Sequence, residues 1–156
     1  MLSTELKPIF LKIRRYCAQS ERCQKEVSDK LKQWGLSDEE IEVYIELLVA
    51  ENFIDHLRYS NFFASDKFRF QKWGRLKIIH ALKAKGISSP DYESAIRTQI
   101  DEGEYLQTLE LLTVKKLELL SDISQILPKK QKLLQYLLQK GYEPELIHKT
   151  IRSFLP

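Results

Sequence analysis

Three glycines, Gly35, Gly86 and Gly141, stand at corresponding points of a sequence written three times over. Each closes a basic segment of the form Leu-x-x-x-Gly: Leu31, Leu82 and Leu137 lie four residues before them. Val27, Ile78 and Leu133 lie eight before, and Ile45, Ile96 and Ile151 ten after. A period of about fifty residues with its apolar positions in phase encodes stacked helical units, because a unit so small cannot cover its apolar face alone. The repeat predicts an all-α fold of three tandem three-helix, helix-turn-helix-like units in an elongated, curved array. The expected units are 1–52, 53–100 and 101–156. Such arrays offer surfaces rather than deep pockets, so binding is expected ahead of catalysis.

Proline and glycine fall almost wholly between the periodic segments, as an all-helical chain requires. Pro8 opens an apolar stripe of Ile9, Phe10, Ile13, Tyr16 and Cys17, a first helix ending near Gln19, and a second is expected over about Glu21 to Trp34. Gly35 supplies a left-handed stop, and Ser37 with Glu40 forms an S-x-x-E capping box for a third helix reaching about Asn52. The second unit repeats these signals: a helix over about Asp55 to Gln71, a break at Gly74, a stop at Gly86, a box of Ser88 and Asp91, and Pro90 in the first turn. In the third unit a leucine-rich helix begins near Gly103, Pro128 introduces the next, and Pro144 follows Gly141. No segment alternates like a strand.

Hydrophobic content of 43% with 30% charged residues describes an ordinary globular chain. No apolar run approaches the eighteen or so residues of a membrane span, and Met1 to Arg15 lack the order of a secretory signal, so a cytoplasmic location is expected. Cys17 and Cys23, six apart, fit neither a disulfide framework nor a zinc spacing and read as reduced thiols. His56, His80 and His148 are scattered without a metal-ligand spacing. P-loop, nucleophile-elbow and dinucleotide-turn motifs are all missing, so no catalytic residue, metal or cofactor is assigned.

The net charge of +3 hides a segregation. Leu57 to Lys85 contains Arg58, Lys67, Arg69, Lys72, Arg75, Lys77, Lys83 and Lys85 against the single acid Asp66. Just before it, Ser37 to Asp55 carries Asp38, Glu39, Glu40, Glu42, Glu46, Glu51 and Asp55 with no lysine or arginine. The basic block is interleaved with Phe68, Phe70 and Trp73, a combination that attracts polyanions or an acidic protein groove and offers rings for stacking. Phe62 and Phe63 are assigned to packing, and Trp73, beside the Gly74 break, is the aromatic expected to be exposed. A third helix of each unit entering a DNA major groove is disfavoured, because in the first unit it would bring acids against phosphates.

The segment Phe53-Ile54-Asp55-His56-Leu57-Arg58-Tyr59-Ser60-Asn61-Phe62, followed by Gly74-Arg75-Leu76-Lys77-Ile78 and Leu82-Lys83-Ala84-Lys85-Gly86-Ile87, resembles the central motif of the bacterial RecX regulatory proteins. Glu26-Val27, Lys30-Leu31 and Gly35 resemble the first repeat of that family. The resemblance covers about residues 9 to 96, and the third unit joins it only through its Leu-x-x-x-Gly pattern and placement. His56, Ser60, Cys23 and the residue after Gly74 depart from the family's usual choices.

The resemblance implies a non-enzymatic modulator of the RecA recombinase in homologous recombination and DNA repair. Similar proteins lie along the groove of the RecA–single-stranded DNA filament and limit its growth and activities. Arg69, Lys72, Arg75 and Lys77, with Trp73 as an anchor, are the expected contact residues. Gly35, Asp55, Arg58, Tyr59, Gly74, Gly86 and Gly141 are expected to be structural, Asp55 and Arg58 fixing a junction between units through their i to i+3 spacing. A monomer with at most weak direct DNA contact is expected, and a helical module that binds nucleic acid without RecA is the alternative. A purely architectural adaptor would instead use the leucine stripes of the third unit.

Overall fold

The computed structural model describes residues 7–156, so the first six residues of the expected first unit lie outside the described residues. The described chain is entirely helical: α1 (Lys7–Gln19), α2 (Gln24–Gln33), α3 (Asp38–Ala50), α4 (His56–Gln71), α5 (Arg75–Ala84), α6 (Ser89–Gln99), α7 (Glu102–Leu119), α8 (Ile126–Lys140) and α9 (Pro144–Phe154). These nine form three tandem triplets.

The repeated glycines explain the second turn of each triplet. Gly35, Gly86 and Gly141 have φ of +91°, +79° and +98°. Side chains are disfavoured there, and each glycine ends a helix so that its partner can fold back. Ser37 then caps α3 in a closed capping box, with Glu40 N–H donating to Ser37 Oγ and Ser37 N–H to Glu40 Oε1. The corresponding box of α6 does not close. Ser88 bonds to Asp91 Oδ2 at 3.5 Å and caps no backbone amide, an aspartate being one methylene too short to reach back as Glu40 does.

Helix α3 ends at Ala50, short of the expected Asn52, and two helix starts also differ from the sequence reading. Helix α2 starts at Gln24 rather than Glu21, because Arg22 turns back onto the end of α1, donating to the Tyr16 carbonyl and lying 4.0 Å from its ring centroid. Helix α8 starts at Ile126, two residues before Pro128, whose missing N–H is harmless within the first turn.

Apolar packing divides the chain unequally. Phe10, Ile13, Val27, Leu31, Tyr44 and Leu48 belong to a first core confined to α1–α3 and the turn after them. A second core runs without interruption through α4–α9, with Phe63, Ile78, Leu82, Tyr105, Leu133 and Tyr142 among its members, and takes in Cys23, the N-cap of α2. Units two and three therefore share one interior, as small units must, while unit one has its own apart from Cys23, which packs into the larger core.

The seam inside the larger core is aromatic. The Phe68 ring lies 5.9 Å from Tyr105, which lies 5.0 Å from Tyr142. The junction between the two cores is polar. Glu26 Oε1 accepts from Tyr59 Oη at 2.7 Å and from Lys85 Nζ and Cys23 Sγ at 3.4 Å, and Glu21 accepts from Arg58 Nε at 2.6 Å.

Candidate functional site

The basic block occupies the end of α4, the turn after it and the first turns of α5. The chain makes that turn through Lys72, which caps α4 in the left-handed region at φ 60° and donates from Nζ to the Arg69 carbonyl. Gly74 follows as the N-cap of α5. It has no side chain because α8 arrives there: a Cβ on Gly74 would collide with the backbone of Gly141 and Tyr142, and one on Gly141 with Lys77.

Backbone hydrogen bonds replace that missing side chain. Gly74 N–H donates to the Lys140 carbonyl at 2.7 Å and Leu76 N–H to the Gly141 carbonyl at 2.9 Å. The last carbonyls of α8 thus satisfy the first amides of α5, end to end, which also aligns opposite helix-dipole ends. Tyr142 Oη donates to the Lys72 carbonyl at 2.9 Å, and Lys140 Nζ to that of Gln71 at 3.0 Å.

This docking brings a cation of the third unit into the basic block of the second. Lys77 Nζ and Lys67 Nζ lie 4.5 and 5.0 Å from the Trp73 ring centroid. Burial, and then the charge of Lys77, pull the pKa of Lys140 below its ordinary value. Among the described residues Lys67, Arg69, Lys72, Lys77 and Lys140 make no ion pair with a carboxylate, so the cluster is a standing positive field.

The expected contact residues are not equivalent. Arg69 is exposed, and Lys72 and Lys77 are half-buried around Trp73. Trp73 itself, expected to be exposed, is half-buried, edge-on to Phe63 at 6.2 Å and packed on the larger core. Arg75 turns into the seam between units. Its guanidinium bonds Glu143 at 2.8 Å and Glu102, and lies 3.9 Å from the Tyr105 centroid. Burial alone would lower its pKa, but hydrogen bonds to both glutamates and the charge of Glu143 raise it, so Arg75 is held charged and neutralised. Tyr105 completes the clamp, accepting from Arg75 N–H and donating to Glu143. Its hydroxyl pKa is raised by burial and then by that bond to Glu143.

Other expected residues also resolve into particular contacts. Asp55 caps α4 by accepting from Arg58 N–H at 3.0 Å, while the Arg58 side chain leaves it for Glu21 of the first unit. Tyr59 is buried and bonded to Glu26. Phe63 is core as expected, whereas Phe62, also assigned to packing, is half exposed.

One residue of the face was not singled out by the sequence. Phe68 and Phe70 both interrupt the basic block, yet Phe68 is 3% exposed and Phe70 78%. Helical phase does not separate them: Phe70 lies seven residues, nearly two full turns, after the buried Phe63 and so on the same side of α4, but it stands in the last turn of the helix and is exposed there beside the exposed Arg69. Phe70 is the free ring beside Arg69.

No groups of histidine, cysteine, aspartate or glutamate suited to a metal occur among the described residues, and no described helix is long and apolar enough to cross a membrane. Cys17 and Cys23 are buried free thiols, and burial pushes Cys17 up to about 11 and raises Cys23.

The comparisons with known proteins coincide with this architecture. Residues 14–46, 55–96 and 103–151 match the first, second and third three-helix domains of RecX in turn. The chain belongs to the RecX family. Its relatives include the regulatory protein RecX of Clostridium botulinum (strain Eklund 17B / Type B), 32% identical over 85% of this chain and 61% of that protein. The regulatory protein RecX of Prosthecochloris aestuarii is 27% identical over 90% of this chain and 89% of that one. The chain thus spans 61% of the clostridial RecX and nearly all of the other. In fold it is similar to the crystal structure of RecX from Lactobacillus salivarius, at a TM-score of 0.82 and 24% identity, covering 97% of both chains. A second RecX crystal structure aligns at 0.83 and 21%, over 92% of this chain and 70% of that one.

Proposed function

We propose that this chain is a non-enzymatic regulator that binds the RecA–single-stranded DNA filament in the cytoplasm and restrains its activity, through the basic face where α4 ends and α5 begins. The observation that carries this reading is a run of cations at that turn, Lys67 and Lys77 against Trp73, Lys140 beside Lys77, and Arg69 and Lys72 at the end of α4, with Phe70 exposed next to Arg69 and no carboxylate paired to these cations among the described residues. An unneutralised positive field with an exposed ring suits a polyanion or an acidic protein groove, and an extended array suits a long target. Trp73 serves as a packed platform for the lysines, and Phe70 is the ring able to anchor on a partner. Arg75 supports the face from behind by locking α5 to α7 and α9.

RecA-dependent strand exchange and ATP hydrolysis on single-stranded DNA, with RecA from the same source, test the reading. Both activities should fall as the protein is added, and unchanged activity at saturation would refute it. The Lys77–Lys140 juxtaposition, two cations brought together with no acid between them, also favours the second reading, a helical module binding nucleic acid without RecA. Tight, salt-dependent binding to bare single-stranded DNA is its signature, and binding seen only with assembled filament removes it.

A further inference from the structure

The repeat places the same groove at two points of the chain with opposite charge. Between α2 and α3 an open groove of about 600 Å³ has Ile41, Ile45 and Val49 along its apolar side and Asp38, Glu42 and Glu46 along its polar side. Between α8 and α9 a groove of about 340 Å³ is lined by Leu127, Leu134 and Ile151 together with Lys130, His148 and Arg152. Counted from Gly35 and Gly141, the two linings overlap at five positions: Gln24 corresponds to Lys130, Ser28 to Leu134, Glu42 to His148, Ile45 to Ile151 and Glu46 to Arg152, whereas Asp38, Ile41 and Val49 have no counterpart in the second lining.

Neither set of charges is used inside the molecule. Glu42, Glu46, His148 and Arg152 are exposed, and among the described residues Asp38, Glu42, Glu46, Lys130 and Arg152 make no ion pair. Both grooves also keep apolar surface open, Val49 at 45% and Leu127 at 66% exposure. The middle unit lacks such a matched set. Its corresponding pair is Glu93 and Arg97, of mixed sign, and the Arg75 that corresponds to Gln24 is tied to Glu102 and Glu143.

We infer that copies of this chain associate head to tail, the acidic α2–α3 groove of one seating against the basic α8–α9 groove of the next. The charges select this pairing: groove against like groove sets acid on acid or base on base, so a two-fold symmetric dimer through either is disfavoured. Two different patches meeting make a heterologous contact, which extends to a third copy instead of closing. Grooves lined by nine and seven residues fall short of the ~20–30 per side of a stable interface, so association is weak, concentration-dependent and weakened by salt. The monomer expected from the sequence is then the dilute form. Linear association of this kind suits a long target, but it stands without the proposed RecA reading and is tested without RecA.

Sedimentation velocity on the full chain, over rising concentration at low and high salt, gives the first result. The expected outcome is a weight-average mass that climbs with concentration at low salt and falls back in high salt. Glu42→Lys with Glu46→Arg makes both grooves basic, and Lys130→Glu with Arg152→Glu makes both acidic. Each double variant is expected to lose self-association about tenfold or more. An equimolar mixture of the two should associate again in one-to-one proportion, the unreversed α8–α9 groove of the first variant on the unreversed α2–α3 groove of the second, and reversed groove on reversed groove. Helical circular dichroism confirms that each variant is folded, and a single chain carrying all four changes, in which the two signs are exchanged, should associate with itself again. A wild type that stays monomeric at every concentration overturns the inference. So does a mixture that fails to associate, or a Lys130/Arg152 variant that loses only affinity for DNA while still self-associating.

Discussion

Gly74 and Gly141 pack backbone against backbone, and through them α5 of the second unit is sealed to the end of α8 in the third. The two glycines differ in what alanine would do. At Gly74 a methyl group meets the backbone of Gly141 and Tyr142 and strains the bonds to the Lys140 and Gly141 carbonyls, an expected cost of about 2–4 kcal/mol. At Gly141 collision with Lys77 adds to the left-handed strain and the cost is at least as large. Gly35 and Gly86 have the same left-handed φ but open space around them, so alanine there costs only about 1–2 kcal/mol. Urea unfolding of the four alanine variants separates the pairs, and equal losses at all four positions would contradict a sealed contact.

The cations near Trp73 divide into one that holds the fold and several that are free to bind. Arg75→Ala leaves Glu143 and Tyr105 without their guanidinium and is expected to cost about 1.5–3 kcal/mol of stability. Arg69→Glu and Lys72→Glu, which touch no carboxylate, should stay within about 0.5 kcal/mol of wild type yet weaken filament or DNA affinity. If the face meets single-stranded DNA, each reversal also lowers the salt slope of binding by about 0.7. Phe70→Ala should leave stability unchanged and cost about 1–3 kcal/mol of binding where a base stacks on the ring. Thermal melts beside salt-titrated anisotropy read both quantities. Loss of binding confined to Arg75→Ala would move the contact away from this face.

High pH tests the burial of the thiols. Folding raises Cys17 from its ordinary 9.0 to about 11, so the native state holds this proton more tightly than the unfolded chain. The resulting stability is whole below pH 9 and is lost as pH rises from 9 toward 11. Cys23, Tyr59, Tyr105 and Tyr142, raised chiefly by burial, act in the same direction, the tyrosines from their ordinary 10.0 upward. Urea midpoints should therefore be flat across neutral pH and decline in the alkaline range, with Cys17→Ala reducing the decline between pH 9 and 10. A midpoint that rises over that interval would be inconsistent with neutral buried thiols.

The architecture was legible because its signals are local and repeated: a glycine stop, a capping serine and apolar residues at fixed offsets specify each turn from within a few residues. What escaped the sequence is set by contacts distant along the chain. Arg75 reads as one more cation of the basic block, since Glu102 and Glu143, which claim it, lie 27 and 68 residues away. Trp73 reads as exposed because it borders a helix break, but α5 folds Lys77 back over its ring. Phe70 could not have been separated by following the phase of α4, because it is in phase with the buried Phe63; its place in the last turn of the helix is what sets it apart. Lys140 could not have been placed beside Lys77 without the Gly74–Gly141 contact, which no local pattern announces.

Glu26 lies at the junction of the two cores, bonded to Tyr59, Lys85 and Cys23, and the chain carries a reporter in each core. Trp34 packs against the first core and Trp73 against the second, so single-tryptophan variants, Trp34→Phe and Trp73→Phe, follow the two regions separately. With Cys23 alone of the first unit's described buried residues packed into the second core, the first unit is expected to unfold at lower urea than the continuous core of α4–α9, giving two midpoints instead of one cooperative transition. Glu26→Ala removes the acceptor of the buried Tyr59 hydroxyl and of Lys85, at an expected cost of about 1–3 kcal/mol, and should draw the two midpoints further apart. Glu26→Gln keeps an oxygen for Tyr59 while losing the charge that attracts Lys85, so it should lie between Ala and wild type. Coincident transitions in both single-tryptophan proteins, unmoved by Glu26→Ala, would show instead that the junction couples the two cores into one unit through something other than these hydrogen bonds.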